Sequence, residues 1–135
     1  MKVETLKPLL DAKSGAVEEY PFGPETIVYK VGGKIFSMVG TESDPLRISL
    51  KCDPDEAEAL RAAFPAIGPG YYMNKRHWNT VTLDGSIPED LLQEMIDASH
   101  TLVVNSLPKA EREQYRLERL NVAPEPHAEG SGDTR

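Results

Sequence analysis

Residue types that bind other molecules are densest at Lys75-Arg76-His77-Trp78, a run preceded by Tyr71, Tyr72 and Asn74. Cationic side chains next to the only tryptophan supply the two contacts that nucleic acid offers, phosphate for Lys and Arg and a base face for the ring. Asn74 carries the kind of amide that can read a base edge. Other reactive groups are scattered. Cys52 has no CxxC partner, and His77, His100 and His127 are too far apart to form a spaced pair of metal ligands. Glu89, Asp90, Glu94 and Asp97 fall on the polar side of an amphipathic helix, where a solvated face is a simpler account than acid-base work. Gly32-Gly33 and Gly68-Pro69-Gly70 lack both the Walker lysine and the GxGxxG spacing of phosphate loops. With no convergent nucleophile, acid-base pair or ligand set, the expectation is a binding protein, not an enzyme, with no metal and no cofactor.

The elements that must position the basic run can be read from periodicity. Gly68-Pro69-Gly70 is irregular because proline fixes its own φ, whereas Trp78 to Leu83 alternates as a half-buried strand does. Trp78, Thr80 and Thr82 share one side of that strand. Upstream, Thr26–Val31 and Lys34–Val39 flank Gly32-Gly33, the two-residue turn signature of a hairpin. Counting outward from the turn pairs Tyr29 with Phe36 and Ile27 with Met38 on an apolar face. The other face then holds Thr26, Val28, Lys30, Ile35, Ser37 and Val39. Leu46–Lys51 alternates too, with Arg47, Ser49 and Lys51 on the polar side. An antiparallel meander follows, with Lys30, Arg47, Lys51 and Trp78 on its open face.

Helices cover the rest. Val3, Leu6, Leu9 and Leu10 predict a short helix over residues 1–12 that Pro8 makes irregular. Asp53-Pro54-Asp55-Glu56 starts a helix with Asp53 as cap, and Pro65 ends it. Asp84-Gly85 turns the chain, and Ser86-Ile87-Pro88-Glu89 predicts a second capping box. The helix after it carries Leu91, Leu92, Met95, Ile96, Ser99, Leu102 and Val103 on one side, the best amphipathic pattern in the chain. A last helix over residues 109–120 has Lys109, Arg112, Arg116 and Arg119 on one face beside glutamates.

The 135 residues suffice for one domain with its own core, and the single cysteine excludes an internal disulfide. No apolar run reaches transmembrane length and the first residues lack a signal peptide's pattern, so a cytoplasmic protein is expected. The net charge is −7, of which residues 121–135 contribute −2 through Glu125, Glu129 and Asp133 against Arg135. An acidic balance argues against tight, sequence-indifferent DNA binding and leaves room for a weak local basic face. The polar, Pro- and Gly-rich composition of residues 121–135 predicts a disordered acidic tail after a domain spanning residues 1–120.

Glu18-Glu19-Tyr20-Pro21-Phe22-Gly23, Tyr29-Lys30-Val31, Gly33-Lys34-Ile35-Phe36, Asn74-Lys75-Arg76-His77-Trp78-Asn79-Thr80-Val81, Ser99-His100 and Leu107-Pro108-Lys109 occur in this order. Taken as a set they resemble the MmcQ/YjbR-like family over about residues 5–118. The resemblance implies a small α+β fold of the secretion-chaperone type in the order helix, three strands, helix, two strands, helix; the order read from periodicity agrees if Tyr71–Asn74 is the short fourth strand. It also implies a "double wing" DNA-binding role. The expected architecture is therefore an antiparallel sheet of about five strands with helices on one face. The expected function is weak, salt-dependent binding of DNA or another nucleic acid through Lys30, Lys34, Arg47, Asn74, Lys75, Arg76, His77 and Trp78. The alternative is a protein-binding or chaperone-like module, holding a protein partner or forming a homodimer without catalysis.

Overall fold

Alternating apolar residues draw the middle of the chain into one antiparallel sheet, which the computed structural model shows within the described residues, 1–70 and 73–122. The elements are α1 (Val3–Asp11), β1 (Val17–Glu19), β2 (Thr26–Val31), β3 (Lys34–Gly40), β4 (Arg47–Lys51), α2 (Pro54–Ala63), β5 (Ile67–Pro69), β6 (Trp78–Thr82), α3 (Glu89–Asn105) and α4 (Lys109–Val122). Strand order is β1-β2-β3-β4-β6-β5. The α+β class and the helix-covered sheet agree with expectation, but there are six strands. The extra one is β1, a three-residue edge too short to show alternation. The strand beside β6 at this edge is Ile67–Pro69; of the stretch expected as a strand, Tyr71 and Tyr72 lie outside the described residues, as does the tail from residue 123, and Met73 and Asn74 are not strand.

The hairpin forms at Gly32 and Gly33, whose φ angles of 58° and 80° are the left-handed values that a two-residue turn needs. Its register departs from simple counting. Lys30 pairs with Ile35 but Tyr29 pairs with Ser37, so Phe36 is the extra residue of a β-bulge. Ile27 therefore faces Val39, not Met38. The one-residue slip inverts every position beyond it: Ser37 and Val39 go to the core, Met38 to the open face. Phe36 gains from this arrangement, since it is fully buried and meets the His100 ring edge-on at 5.1 Å.

The inner face presents Ile27, Tyr29, Val39, Ile48, Leu50, Val81 and Ile67, all buried. Helix α3 lies across it with Leu92, Met95, Ile96 and Val103, flanked by Leu6 and Leu10 of α1, while α4 packs on α3. Ser99 sits within this apolar stripe for a reason. Its Oγ donates to Phe36 O at 2.6 Å and accepts from Lys51 N at 2.8 Å, taking up the two groups where the β3–β4 ladder stops. Helix α2 begins as expected, with the Asp53 carboxylate accepting from the amides of Asp55 and Glu56 at 3.2 and 3.3 Å. Helix α3 does not: its N-cap is Pro88, and Ser86 instead donates through N and Oγ to Asp84 Oδ1. That local turn takes the hydroxyl the capping box would have used.

Candidate nucleic-acid interface

Because the strands pair in register, the open face can be read row by row. Lys51 is directly opposite Trp78, Ser49 opposite Thr80 and Arg47 opposite Thr82. Side chains alternate along each strand, and the partners between these pairs, Leu50 with Asn79 and Ile48 with Val81, are buried against the helices. Lys51, Trp78 and Arg47 thus share the face that carries no helix among the described residues, as expected. They are not adjacent. Arg47 stands four residues along β4 from Lys51, about 13 Å, at the other end of the face.

The basic turn before Trp78 is built from its own backbone and one distant side chain. Asn74 Oδ1 accepts from Arg76 N at 2.9 Å and His77 N donates to Asn74 O at 3.1 Å, closing the turn. Asn74 is therefore engaged as a turn-former, with one lone pair of its amide oxygen taken by the backbone. His77 O accepts from Cys52 N at 2.7 Å, tying the turn to the end of β4. Arg61 of α2 completes it, donating through Nε to Asn79 Oδ1 at 2.7 Å and through Nη2 to Trp78 O at 3.2 Å and to Lys75 O. Gly70 lies against Trp78: its amide donates to Trp78 O at 2.9 Å, and a Cβ at position 70 would come within 2.8 Å of the Trp78 Cβ. Trp78 is half-buried, whereas Lys75 and Arg76 are exposed.

The hairpin lysines stand apart from this group. Lys30 is on the open face but pairs with Glu19 of β1 at 3.0 Å. Lys34 reaches the other way, its Nζ 3.4 Å from both the carbonyl and the hydroxyl oxygen of Ser106 at the end of α3. The structure thus brings Lys51, Trp78 and the 74–77 turn together, puts Arg47 at a distance and removes Lys34 from the face. Among the described residues neither Arg47 nor the Lys51 ammonium has a hydrogen-bond or ion-pair partner.

Around Arg47 the open face is hollow, with a volume of about 230 Å³ lined by Thr26, Met38, Gly40, Ser43, Arg47, Ser49 and Thr80. A second hollow of about 190 Å³ lies between α2 and α3, with mostly aliphatic walls joined by Lys51 at the end of β4, Cys52, Glu56, Asn79 and Glu94. Burial pushes the Cys52 thiol up, and Glu56 and Asp53 add to the shift, so the thiolate that a nucleophile requires is disfavoured. Among the described residues no three His, Cys, Asp or Glu side chains are placed to hold a metal ion, and no helix is long and apolar enough to cross a membrane.

Sequence reasoning missed Arg61 and the hydroxyls around Arg47. Arg61 had a signal: it falls four residues after the buried Ala57, on the inward side of α2, where a cation must find acceptors. The hydroxyls had none, since Ser and Thr on a strand's polar face are ordinary.

The family model described as YjbR matches residues 11–102. The protein YbdF of Escherichia coli O157:H7 is 41% identical over 97 residues, 72% of this chain and 80% of that one. YjbR of Escherichia coli K12 is 35% identical over 112 residues, 83% of this chain and 95% of its own. Among solved structures, Deinococcus radiodurans protein DR2400 superposes with a TM-score of 0.80 at 42% identity, covering 85% of this chain and 88% of that one. A Pseudomonas syringae protein does so with a TM-score of 0.66 at 26% identity, over 76% and 99%.

Proposed function

The chain belongs to the YjbR family, and from that premise we propose that it is a non-catalytic binding protein that holds nucleic acid weakly on the open face of its sheet. The observation that carries the reading is the Lys51–Trp78 pair, a cation directly across from the only tryptophan, on a face without a helix and beside the exposed Lys75 and Arg76. A ring flanked by cations stacks a base and neutralises the phosphates next to it. Few cations take part, so affinity is no better than about micromolar and falls only shallowly with salt. Fluorescence anisotropy of labelled single- and double-stranded DNA at two salt concentrations tests this. Salt-dependent binding that Lys75→Glu/Arg76→Glu weakens supports it; a wild-type protein that binds neither DNA at low ionic strength removes it.

One observation favours a second reading, a protein-binding module. Val17, Tyr20 and Phe22 are 52%, 48% and 62% exposed beside β1, whose outer edge is unpaired among the described residues. Exposed apolar side chains next to a free edge suit an added strand, although the shortness of β1 and its Glu18 and Glu19 limit such pairing. Light scattering decides it for self-association: a dimer that Phe22→Ser dissociates supports this reading, and a monomer at high concentration counts against it.

A further inference from the structure

The hollow around Arg47 has the chemistry of an oxyanion seat. Its one charged group is a guanidinium with no partner among the described residues, and no carboxylate is among its walls. A guanidinium presents a planar fork that matches two oxygens of one phosphate. Hydroxyl-bearing residues line the hollow from three strands and a loop: Thr26, Ser49, Thr80 and Ser43. Ser49 Oγ and Thr80 Oγ1 lie 3.1 Å apart, so whichever donates to the other, the accepting hydroxyl keeps its hydrogen for a ligand. One positive charge with neutral donors matches a monoanion, which is the charge of a phosphodiester and not of a terminal phosphate.

The location adds the second constraint. Arg47 and Lys51 are on the same strand, so the seat and the Trp78 ring are separated by about 13 Å, with Ser49 and Thr80 between them. A mononucleotide cannot reach both. Trp78 can stack only on a base that is not already stacked and paired, and the cations on this face are too few for a duplex's charge density. We infer that the Arg47 hollow seats one phosphodiester of a single nucleic-acid strand, which runs along β4 and β6 so that a base stacks on Trp78 at the far end. The inference rests on the nucleic-acid reading above and adds to it a phosphate anchor and a preference for single strands.

Trp78 is the only tryptophan, so its fluorescence reports stacking directly. The intact protein is titrated at low ionic strength with a short oligothymidylate, with the same strand annealed to oligoadenylate, and with thymidine monophosphate. Variants are Arg47→Gln, on an exposed side chain, and Lys75→Glu/Arg76→Glu, in the turn. The oligothymidylate is expected to quench Trp78 and to bind more tightly than the duplex. Arg47→Gln is expected to weaken it about tenfold, the loss of one charged hydrogen-bonded contact, while the weak quenching by the mononucleotide stays unchanged. If Arg47→Gln binds the oligonucleotide as wild type does while the turn variant is weakened, the anchor is wrong and the broader reading stands. If the duplex binds as tightly as the single strand, the strand preference is overturned. If no nucleic acid binds wild type, the reading and the inference fall together.

Discussion

On the inner face of the sheet Arg61, Asn79 and Ser99 are polar residues held in hydrogen bonds that join helix to strand. On the outer face Arg47 and Lys51 hold their charged ends free among the described residues. The difference teaches how to read a polar side chain in a small domain. Where water is excluded, a donor or acceptor left without a partner costs stability, so the removal of its partner is read in stability. Where water remains, an unpartnered cation contributes little to folding and is left for a ligand.

Substitutions on the two faces should therefore separate stability from binding. The largest effect is expected for Ser99→Ala, which strands Phe36 O and Lys51 N at once and should destabilise by about 2–4 kcal/mol, read from urea unfolding. A loss under about 1 kcal/mol would mean that the strand ends satisfy each other without the hydroxyl.

Arg61→Ala tests the link between the faces, because the side chain is anchored inside yet shapes the turn outside. Its removal should destabilise by about 2 kcal/mol, with amide shifts concentrated at residues 74–79. Oligonucleotide binding should weaken although Arg61 touches no ligand. Unchanged amides at 74–79 would show that the turn holds itself.

Gly70→Ala places a methyl group where Trp78 already stands and should destabilise by about 1–2 kcal/mol, with a shifted tryptophan emission maximum. An unaltered emission spectrum would place the strain elsewhere.

Tyr29→Phe sharpens the inner half of the comparison at an exception to it. The phenol is buried with no hydrogen bond of normal geometry among the described residues, the Asp11 carboxylate being the acceptor nearest to providing one, and burial first, then Asp11, raise its pKa above the ordinary value. Deleting an unsatisfied hydroxyl should change stability by less than about 1 kcal/mol. A loss beyond that, in thermal melts at neutral pH, would mean that the hydroxyl is bonded.

The smallest effects belong to the surface lysines. Lys51→Gln and Lys34→Ala should each alter stability by less than about 0.5 kcal/mol. Only Lys51→Gln should weaken oligonucleotide binding, since Lys34 points toward Ser106 and away from the face. Equal weakening by both would merge the hairpin tip with the interface.

What the residues determine by themselves is local. Positive φ at Gly32 and Gly33, the Asp53 cap ahead of Pro54, and the alternation of Arg47–Lys51 and Trp78–Thr82 all follow from interactions within a few residues. They were legible for that reason. So was the gathering of Lys51 and Trp78 on one face, because strand parity alone dictates it. Tertiary structure decided the remainder. The Phe36 bulge exists because a bulky ring is buried beside His100 of a helix more than sixty positions away, which counting from the hairpin turn cannot sense. Glu19 and Ser106 draw Lys30 and Lys34 aside, and Arg61 shapes the turn from α2, through contacts that arise only once the sheet and helices have packed. A cation's charge is written in its residue type, but its availability depends on which distant acceptors the fold brings within reach.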